Sequence, residues 1–272
     1  MQPGRYKDLS VIENVLWWHK ARRETVVRIL RRLELPKNAT ALDVGCGTGG
    51  AFKLFDRLGI SRCVGFDFAW NGVRIAKDKW RDNWLVQADA SKNFPFGDES
   101  FDLVTVFGML HHVWIEDEFA TVRQIATLLR PNGVLVITEP AFPVLYRHMD
   151  AVTMTKRRYY SSEITDMARQ AELVPVRTGY FAFIAFFPVL AVSLLERLFR
   201  FGRRGVAVDH SSVPLDFRMP PRWLNNIFYF LTILEGRAIA AGLRLPVGVT
   251  IIGVYQKPPQ CDQHVEYETH KI

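Results

Sequence analysis

The chain has 272 residues, of which 49% are apolar and 23% charged, a balance that supports a substantial core and excludes a disordered chain. Its formal charge of +7 suits an anionic partner or a membrane surface, but the arginines are scattered and no basic stripe interleaves with aromatics, so nucleic acid is not expected as a partner. Three cysteines, Cys46, Cys63 and Cys261, leave an odd count without framework spacing, which points to a reduced cytoplasmic setting.

The opening "MQPGRYKDLSVIENV" lacks a basic-then-apolar leader pattern, and "WWHKARRETVVRIL" reads as a helix; residues 1–40 are expected to form a helical cap. Strand-then-helix units follow. "TALDV" precedes a helix through "AFKLFDRLG", and "RCVGFDF" precedes the helix "NGVRIAKDKWRD". "WLVQADA" is a third strand, and "FDLVTVFGML" a fourth, leading to the helix "EDEFATVRQIATLLR". A Pro-Asn-Gly turn opens the fifth strand, "PNGVLVITEP". "SSEITDMARQAELVPVRTGYF" supplies a helix, with Ser161 or Ser162 as its cap, and a sixth strand. "GVTIIGVYQK" is the last strand.

This alternation predicts an α/β fold: a mostly parallel, Rossmann-like sheet of seven strands with helices on both faces. The expected layout is a core over residues 41–179, a helical apolar insertion or lid over 180–246, a terminal strand over 247–258 and a disordered tail over 259–272. The longest apolar run, Tyr180 to Leu195, contains Pro188 and falls short of the roughly 20 residues that span a bilayer. The protein is therefore expected to be soluble or membrane-peripheral.

The loop "GCGTGG" decides the chemistry. Gly45, Gly47 and Gly50 fit the G-x-G-x-x-G of dinucleotide enzymes, while Gly45, Gly47 and Gly49 fit the tighter loop of S-adenosylmethionine enzymes. Asp67 ends the second strand, where a carboxylate accepts from two ribose hydroxyls in either class. Three features break the tie, the first being Asp43, because a carboxylate beside the loop repels a pyrophosphate and attracts a sulfonium with its ammonium group. Asp89 and Ala90 end the third strand, where a carboxylate and the next N–H can read an adenine edge. "FGMLHHV" ends the fourth with an aromatic and imidazole loop suited to methyl transfer.

The stretches "LDVGCGTGG", "VGFD", "ADA", "FPFGDESFDLVTVFGMLHHV" and "LLRPNGVLVITEP" closely resemble class I S-adenosylmethionine-dependent methyltransferases of the small-molecule group. The flanking "WWHKARRETVVRIL", "TKRRYYSSEITDMARQAEL" and "LPVGVTIIGVYQK" resemble one bacterial branch more loosely, with Thr155 standing where a histidine is expected. The resemblance implies the class I sheet with its last strand reversed, and S-adenosyl-L-methionine as cofactor. It implies Gly45, Cys46 and Gly47 against the methionine part, Asp67 on the ribose, Phe68 beside the adenine, and Asp89 with Ala90 on the adenine edge. Phe107 and Gly108 would face the transferable methyl group.

His111, His112 and Glu139 are the catalytic candidates for an acceptor that must lose a proton. His112 reads equally as structural or cofactor-side, His111 is the better base, and Glu139 is either a second base or a residue that positions another side chain. Trp18 and Arg22 share a helix face. There Arg22 either clamps the cofactor carboxylate or lies in water. Arg157, Arg158 and Tyr159 read as an anion contact or a solvated turn. No Cys and His set has metal-ligand spacing.

The expected reaction is O-methylation of a small hydrophobic, glycolipid-like or natural-product acceptor. The alternatives are an NAD-dependent oxidoreductase and a non-catalytic S-adenosylmethionine-binding protein. The insertion, with Arg197, Arg200, Arg203 and Arg204, reads as a lid, a peripheral membrane contact that admits a lipid-linked acceptor, or a homodimer surface.

Overall fold

The computed structural model describes residues 3–200 and 219–260. The expected tail beyond residue 260, and the arginines Arg203 and Arg204, lie outside the described residues. Seven strands form one sheet: β1 (Thr40–Val44), β2 (Arg62–Asp67), β3 (Trp84–Gln87), β4 (Phe101–Phe107), β5 (Leu129–Pro140), β6 (Val174–Phe181) and β7 (Thr250–Gln256). Their order is β3-β2-β1-β4-β5-β7-β6. Pairing is parallel from β3 through β5, and β7 runs antiparallel to both β5 and β6. The last strand is reversed, as the sequence implies.

Alternation along the strands builds a core on each face. Leu42, Val44, Val104, Val106, Leu135 and Ile137 are buried on one side. Ala41, Leu103, Val134, Val136, Ile252 and Val254 are buried on the other. Each fully buried large side chain contributes about 1.5–3 kcal/mol of transfer free energy. Within β5, Asn132 takes φ 64° in the Pro131-Asn132-Gly133 turn, and the register against β4 shifts there. Asparagine is among the few non-glycine residues that tolerate that region.

Nine helices surround the sheet among the described residues: α1 (Pro3–Val15), α2 (Trp17–Leu30), α3 (Phe52–Leu58), α4 (Trp70–Lys79), α5 (Glu118–Leu128), α6 (His148–Val152), α7 (Ser161–Gln170), α8 (Phe183–Arg200) and α9 (Arg222–Ala241). Asp117 caps α5 by accepting the Ala120 N–H at 2.8 Å, an interaction typically worth ~1 kcal/mol. Gly59, at φ 73°, ends α3.

One expectation is corrected: the cap of α7 is Tyr160 and not Ser161 or Ser162, and Glu163 reaches back to accept the Tyr160 N–H at 2.6 Å. Residues 3–30 form two helices, α1 and α2, and in the insertion α9 packs directly along α2. A Cβ on Gly236 would lie 2.1 Å from Thr25 Oγ1, so the helices cross at contact distance. The helix α8 itself continues past Glu196 to Arg200.

Candidate active site

The order of the sheet reverses between β1 and β4, and a cleft opens at the carboxyl ends of the strands there. Gly45, Gly47 and Gly49 all have positive φ, of 71°, 52° and 83°. This conformation is open to glycine at no steric cost. The Gly45 and Cys46 N–H groups both donate to Phe66 O at 2.9 Å, pinning the loop to β2. A Cβ on Gly47 would meet no atom within 4 Å, so this glycine keeps open space clear in front of the loop.

Asp67 sits beside it. One carboxylate oxygen accepts the Gly47 N–H at 2.9 Å and the other the Ala69 N–H at 2.7 Å. Each oxygen retains a second lone pair. Burial pushes this carboxyl above its usual range although both bonds pull the other way. Asp43, at the end of β1, is 2% exposed and accepts the Thr105 hydroxyl at 2.7 Å. Burial drives it up to about 7 against the pull of that bond and of Arg22.

The cleft, about 160 Å³, is also lined by Cys46, Phe68, Ala90, Phe107 and Gly108, and α1 covers it with Tyr6, Leu9 and Glu13. Burial raises the Cys46 thiol, which suits lining and not nucleophilic work. Gly49 and Asp89 differ from the other predicted cofactor residues: neither lines the cleft, and a Cβ on Gly49 would stand 2.7 Å from the Trp80 ring. The Asp89 carboxylate is turned to the Ser91 N–H and hydroxyl, at 2.9 and 2.7 Å, and of Asp89 and Ala90 only the latter lines the cleft.

A second cavity of about 560 Å³ lies behind the first and shares Leu9, His19, Arg22 and Gly108 with it. Its lining joins apolar residues, Ile12, Trp17, Trp18, Ala185 and Val189, to polar ones, His111, Glu139, Thr155, Asp150 and Arg158.

The histidine pair divides between the two spaces. His112 faces the cleft, stacked on Trp114 at 4.1 Å. Its Nδ1 lies 3.3 Å from Met154 O. Burial and then the neighbouring His111 hold it well below the ordinary histidine range. His111 faces the second cavity, with Nδ1 2.7 Å from Glu139 Oε2. Glu139, 1% exposed, accepts the Met109 and Leu110 N–H groups through its other oxygen, at 3.0 and 2.9 Å. It is therefore placed to orient His111, and its own oxygens are taken.

Arg22 forms the partition. Its guanidinium lies 4.7 Å from the Trp18 ring and 4.7 Å from the Phe107 ring, and Nη1 donates to Thr138 Oγ1 at 3.2 Å. Burial lowers it to about 10, with Arg23 adding to the effect and Asp43 and Glu139 opposing it. Arg22 Nε and Thr48 Oγ1 are buried without a hydrogen-bond partner, and both residues line the cleft. Unpaired buried polar atoms of this kind are costly. Together with the glycine cradle and two buried carboxylates, they fit a ligand that carries ribose hydroxyls, a carboxylate and positive charge.

Of the loop "TKRRYY", Arg158 alone among its arginines reaches the cavity, paired with Asp150 at 2.9 and 3.1 Å. Arg157 pairs with Glu118 and Glu163, and Tyr159 is fully buried with its hydroxyl on Leu110 O. Thr155 pairs with His112 as an isolated bridge and lines the cavity. Sequence reading missed Thr48, although it stands inside the glycine loop, and missed Tyr6 and Glu13, whose helix carries no clear apolar period. Among the described residues no group of three His, Cys, Asp or Glu is placed to hold a metal.

Comparison with known proteins agrees with this geometry. Residues 42–137 match the family model described as a methyltransferase domain. A demethylmenaquinone methyltransferase of Staphylococcus saprophyticus is 33% identical over 148 residues, covering 52% of this chain and 59% of that protein. One from Bacillus licheniformis is 31% identical over 149 residues, covering 52% and 61%. The chain thus spans about three fifths of the length of these curated relatives. Among solved structures, a complex of the Haloferax volcanii Trm112 methyltransferase activator with a putative methyltransferase aligns over 94% of both chains, with TM-score 0.57 and 19% identity. Geranyl diphosphate methyltransferase aligns over 88% of this chain and 77% of its own, with TM-score 0.56 and 13% identity. These structural likenesses show the fold. Residues 42–137 thus form a methyltransferase domain, set in a seven-stranded sheet with the fold of class I S-adenosylmethionine-dependent methyltransferases.

Proposed function

We propose that the protein transfers a methyl group from S-adenosyl-L-methionine to a hydroxyl oxygen of a small amphiphilic acceptor. The observation that carries the reading is the His111–Glu139 pair on the wall of a cavity that adjoins the glycine-loop cleft across Arg22 and Gly108.

In the cleft, Asp67 would hold the ribose, Asp43 the positive charge, and Arg22 the carboxylate through its free Nε. When bound, the cofactor supplies an activated methyl group for in-line displacement. The chain supplies alignment and the exclusion of water. With Nδ1–H donated to Glu139, His111 keeps its Nε2 lone pair for the acceptor hydroxyl. It takes that proton as the oxygen–carbon bond forms, and the Glu139 carboxylate stabilises the resulting imidazolium. The apolar lining of the cavity suits a hydrocarbon or ring portion, and its polar groups suit the reacting head.

The names of the relatives, for demethylmenaquinone and geranyl diphosphate methylation, support a small-molecule acceptor. Purified protein incubated with methyl-labelled S-adenosylmethionine and bacterial extract tests this, the label then being divided between organic and aqueous phases. Enzyme-dependent label in the organic phase, absent with His111→Ala, is the expected result. Binding of the cofactor with no transfer to any fraction would return the protein to a binding role.

A further inference from the structure

The second cavity is framed by α1, α8 and the start of α9, through Leu9, Ile12, Ala185, Val189 and Pro220. The outer faces of the same helices are apolar. On α8, Phe187, Leu194, Leu195 and Leu198 recur at helical spacing and are 49–70% exposed. On α9, Trp223, Ile227, Phe230 and Leu234 form a second stripe, 42–65% exposed. Asn225 joins α9 to the end of α1, donating to Val15 O at 3.1 Å and accepting the Trp17 N–H at 3.0 Å. Val11 and Val15 extend the apolar surface there. Isolated exposed leucines are ordinary, whereas two apolar stripes on helices that frame one cavity mark an interaction surface.

Charge identifies its partner. The acids of α8 and α9 are Glu196 and Glu235, and both are turned to the protein. Glu196 accepts the His148 N–H at 2.9 Å, and Glu235 accepts those of Ala182 and Phe183 at 2.6 and 3.1 Å. Arg222 and Arg237 on α9 are exposed, while Arg197 on α8 donates to Pro143 O and Val144 O at 3.2 and 3.0 Å. Two apolar stripes with outward cations along α9 and no outward acid on either helix complement a bilayer of anionic lipid. A second copy fits less well, because a twofold interface sets like patch against like patch and brings these arginines together. No helix among the described residues is long and apolar enough to cross a membrane, so contact would lie in the plane of the interface.

We infer that the outer face of α8 and α9 docks on anionic lipid bilayers, with the mouth of the second cavity turned to the lipid. The inference rests on the reading of that cavity as the acceptor site only for its purpose; the docking itself is measured without methyl transfer. The full chain is floated with vesicles of phosphatidylcholine, with and without phosphatidylglycerol, after sedimentation velocity has given its state without lipid. A monomer that binds the anionic vesicles at least about tenfold better, and loses that gain in high salt, is expected. The pairs L195E/L198E and I227E/F230E should each abolish flotation while leaving the calorimetric affinity for S-adenosylhomocysteine unchanged, which shows the domain still folded. Absence of flotation by the unaltered chain, equal binding to both vesicles, or a dimer that these substitutions dissociate would each overturn it. A chain that floats as expected yet methylates only aqueous acceptors keeps the docking and removes the acceptor reading.

Discussion

His111 Nδ1 stands 2.7 Å from Glu139 Oε2, while the opposite oxygen of the same carboxylate receives two backbone N–H groups from the loop that carries His111. One buried acid thus fixes the position of the histidine and, by accepting at Nδ1, its tautomer. The arrangement follows from register. Glu139 is next to last in β5, and the loop leaves β4 beside it, with the Gly108 N–H on Thr138 O at 2.8 Å.

Glu139→Gln separates these two tasks. The amide oxygen can still accept the loop N–H groups, but the NH2 then faces Nδ1 and favours the proton on Nε2, where the base is needed. Turnover should fall about 10²–10⁴-fold, the range for loss of general base catalysis. Affinity for S-adenosylhomocysteine should stay within a few-fold. Steady-state kinetics beside calorimetry reads this split, and an unaltered kcat would remove His111 as the base.

Asp67 holds the glycine loop as well as its proposed ligand. Asp67→Ala deletes the acceptors of the Gly47 and Ala69 N–H groups and the proposed acceptors of two ribose hydroxyls. Hydrogen bonds to a charged group are worth about 1.5–3 kcal/mol each, so cofactor affinity should drop by at least ~100-fold. Calorimetry with S-adenosylhomocysteine checks it. Equal affinity in the two proteins would sink the ribose assignment.

The glycines of the loop make a paired test. A Cβ on Gly45 would stand 2.6 Å from Met109 Cγ and 2.9 Å from its Cβ, at φ 71°. Gly45→Ala should therefore lower stability by more than the ~1 kcal/mol of backbone strain alone, and shift the loop that Met109 begins. Gly47→Ala carries only that strain, because nothing lies within 4 Å, but its methyl would enter the cleft. Thermal melts should rank Gly45→Ala as the less stable protein. Cofactor titration should show the larger loss of binding per degree of melting for Gly47→Ala. The reverse ranking would mean that the cleft lies elsewhere.

Much of this arrangement was legible in the sequence, and physical reasons divide what was from what was not. β1, β4 and β5 are buried on both faces and read as continuous apolar runs, and the glycine loop needs positive φ, so both leave marks in local sequence. α1 left none: Tyr6, Ile12 and Glu13 are buried while Val11 and Val15 are exposed, so apolarity does not follow its face. The two sides of the histidine pair also carry no local signal. Adjacent residues diverge into different cavities only because the segment before Arg157 zippers against the loop, with the Lys156 N–H on His111 O and the Val113 N–H on Met154 O. Asp150 and Arg158, which pair on the cavity wall, meet through the same tertiary packing. Arg22 was readable as a helix-face arginine, but its place between Trp18 and Phe107 was not.

The last prediction concerns pH. Asp43 titrates at about 7 because burial disfavours its charged form, and Thr105 and Arg22 offset that only in part. Its unfolded value is near 3.8, so the proton favours the folded protein; that stability is lost as pH rises from about 4 to 7 and is absent above. Asp43→Asn, which cannot ionise, should melt higher than the unaltered chain at pH 8, by a margin that shrinks to roughly a third at pH 5 and closes below about pH 4. Glu235, also raised to about 7 by burial, adds a slope of the same sign that this substitution leaves in place. Cofactor binding should run the opposite way. A sulfonium and ammonium beside Asp43 favour its ionised form, so affinity for S-adenosylmethionine should tighten by up to about tenfold per pH unit below 7 and level off above it. Asp43→Asn should bind more weakly at pH 8, with a flat profile. Calorimetric titrations between pH 5.5 and 8.5 decide the matter: a flat profile in the unaltered protein would show that Asp43 does not sense the charge of the ligand.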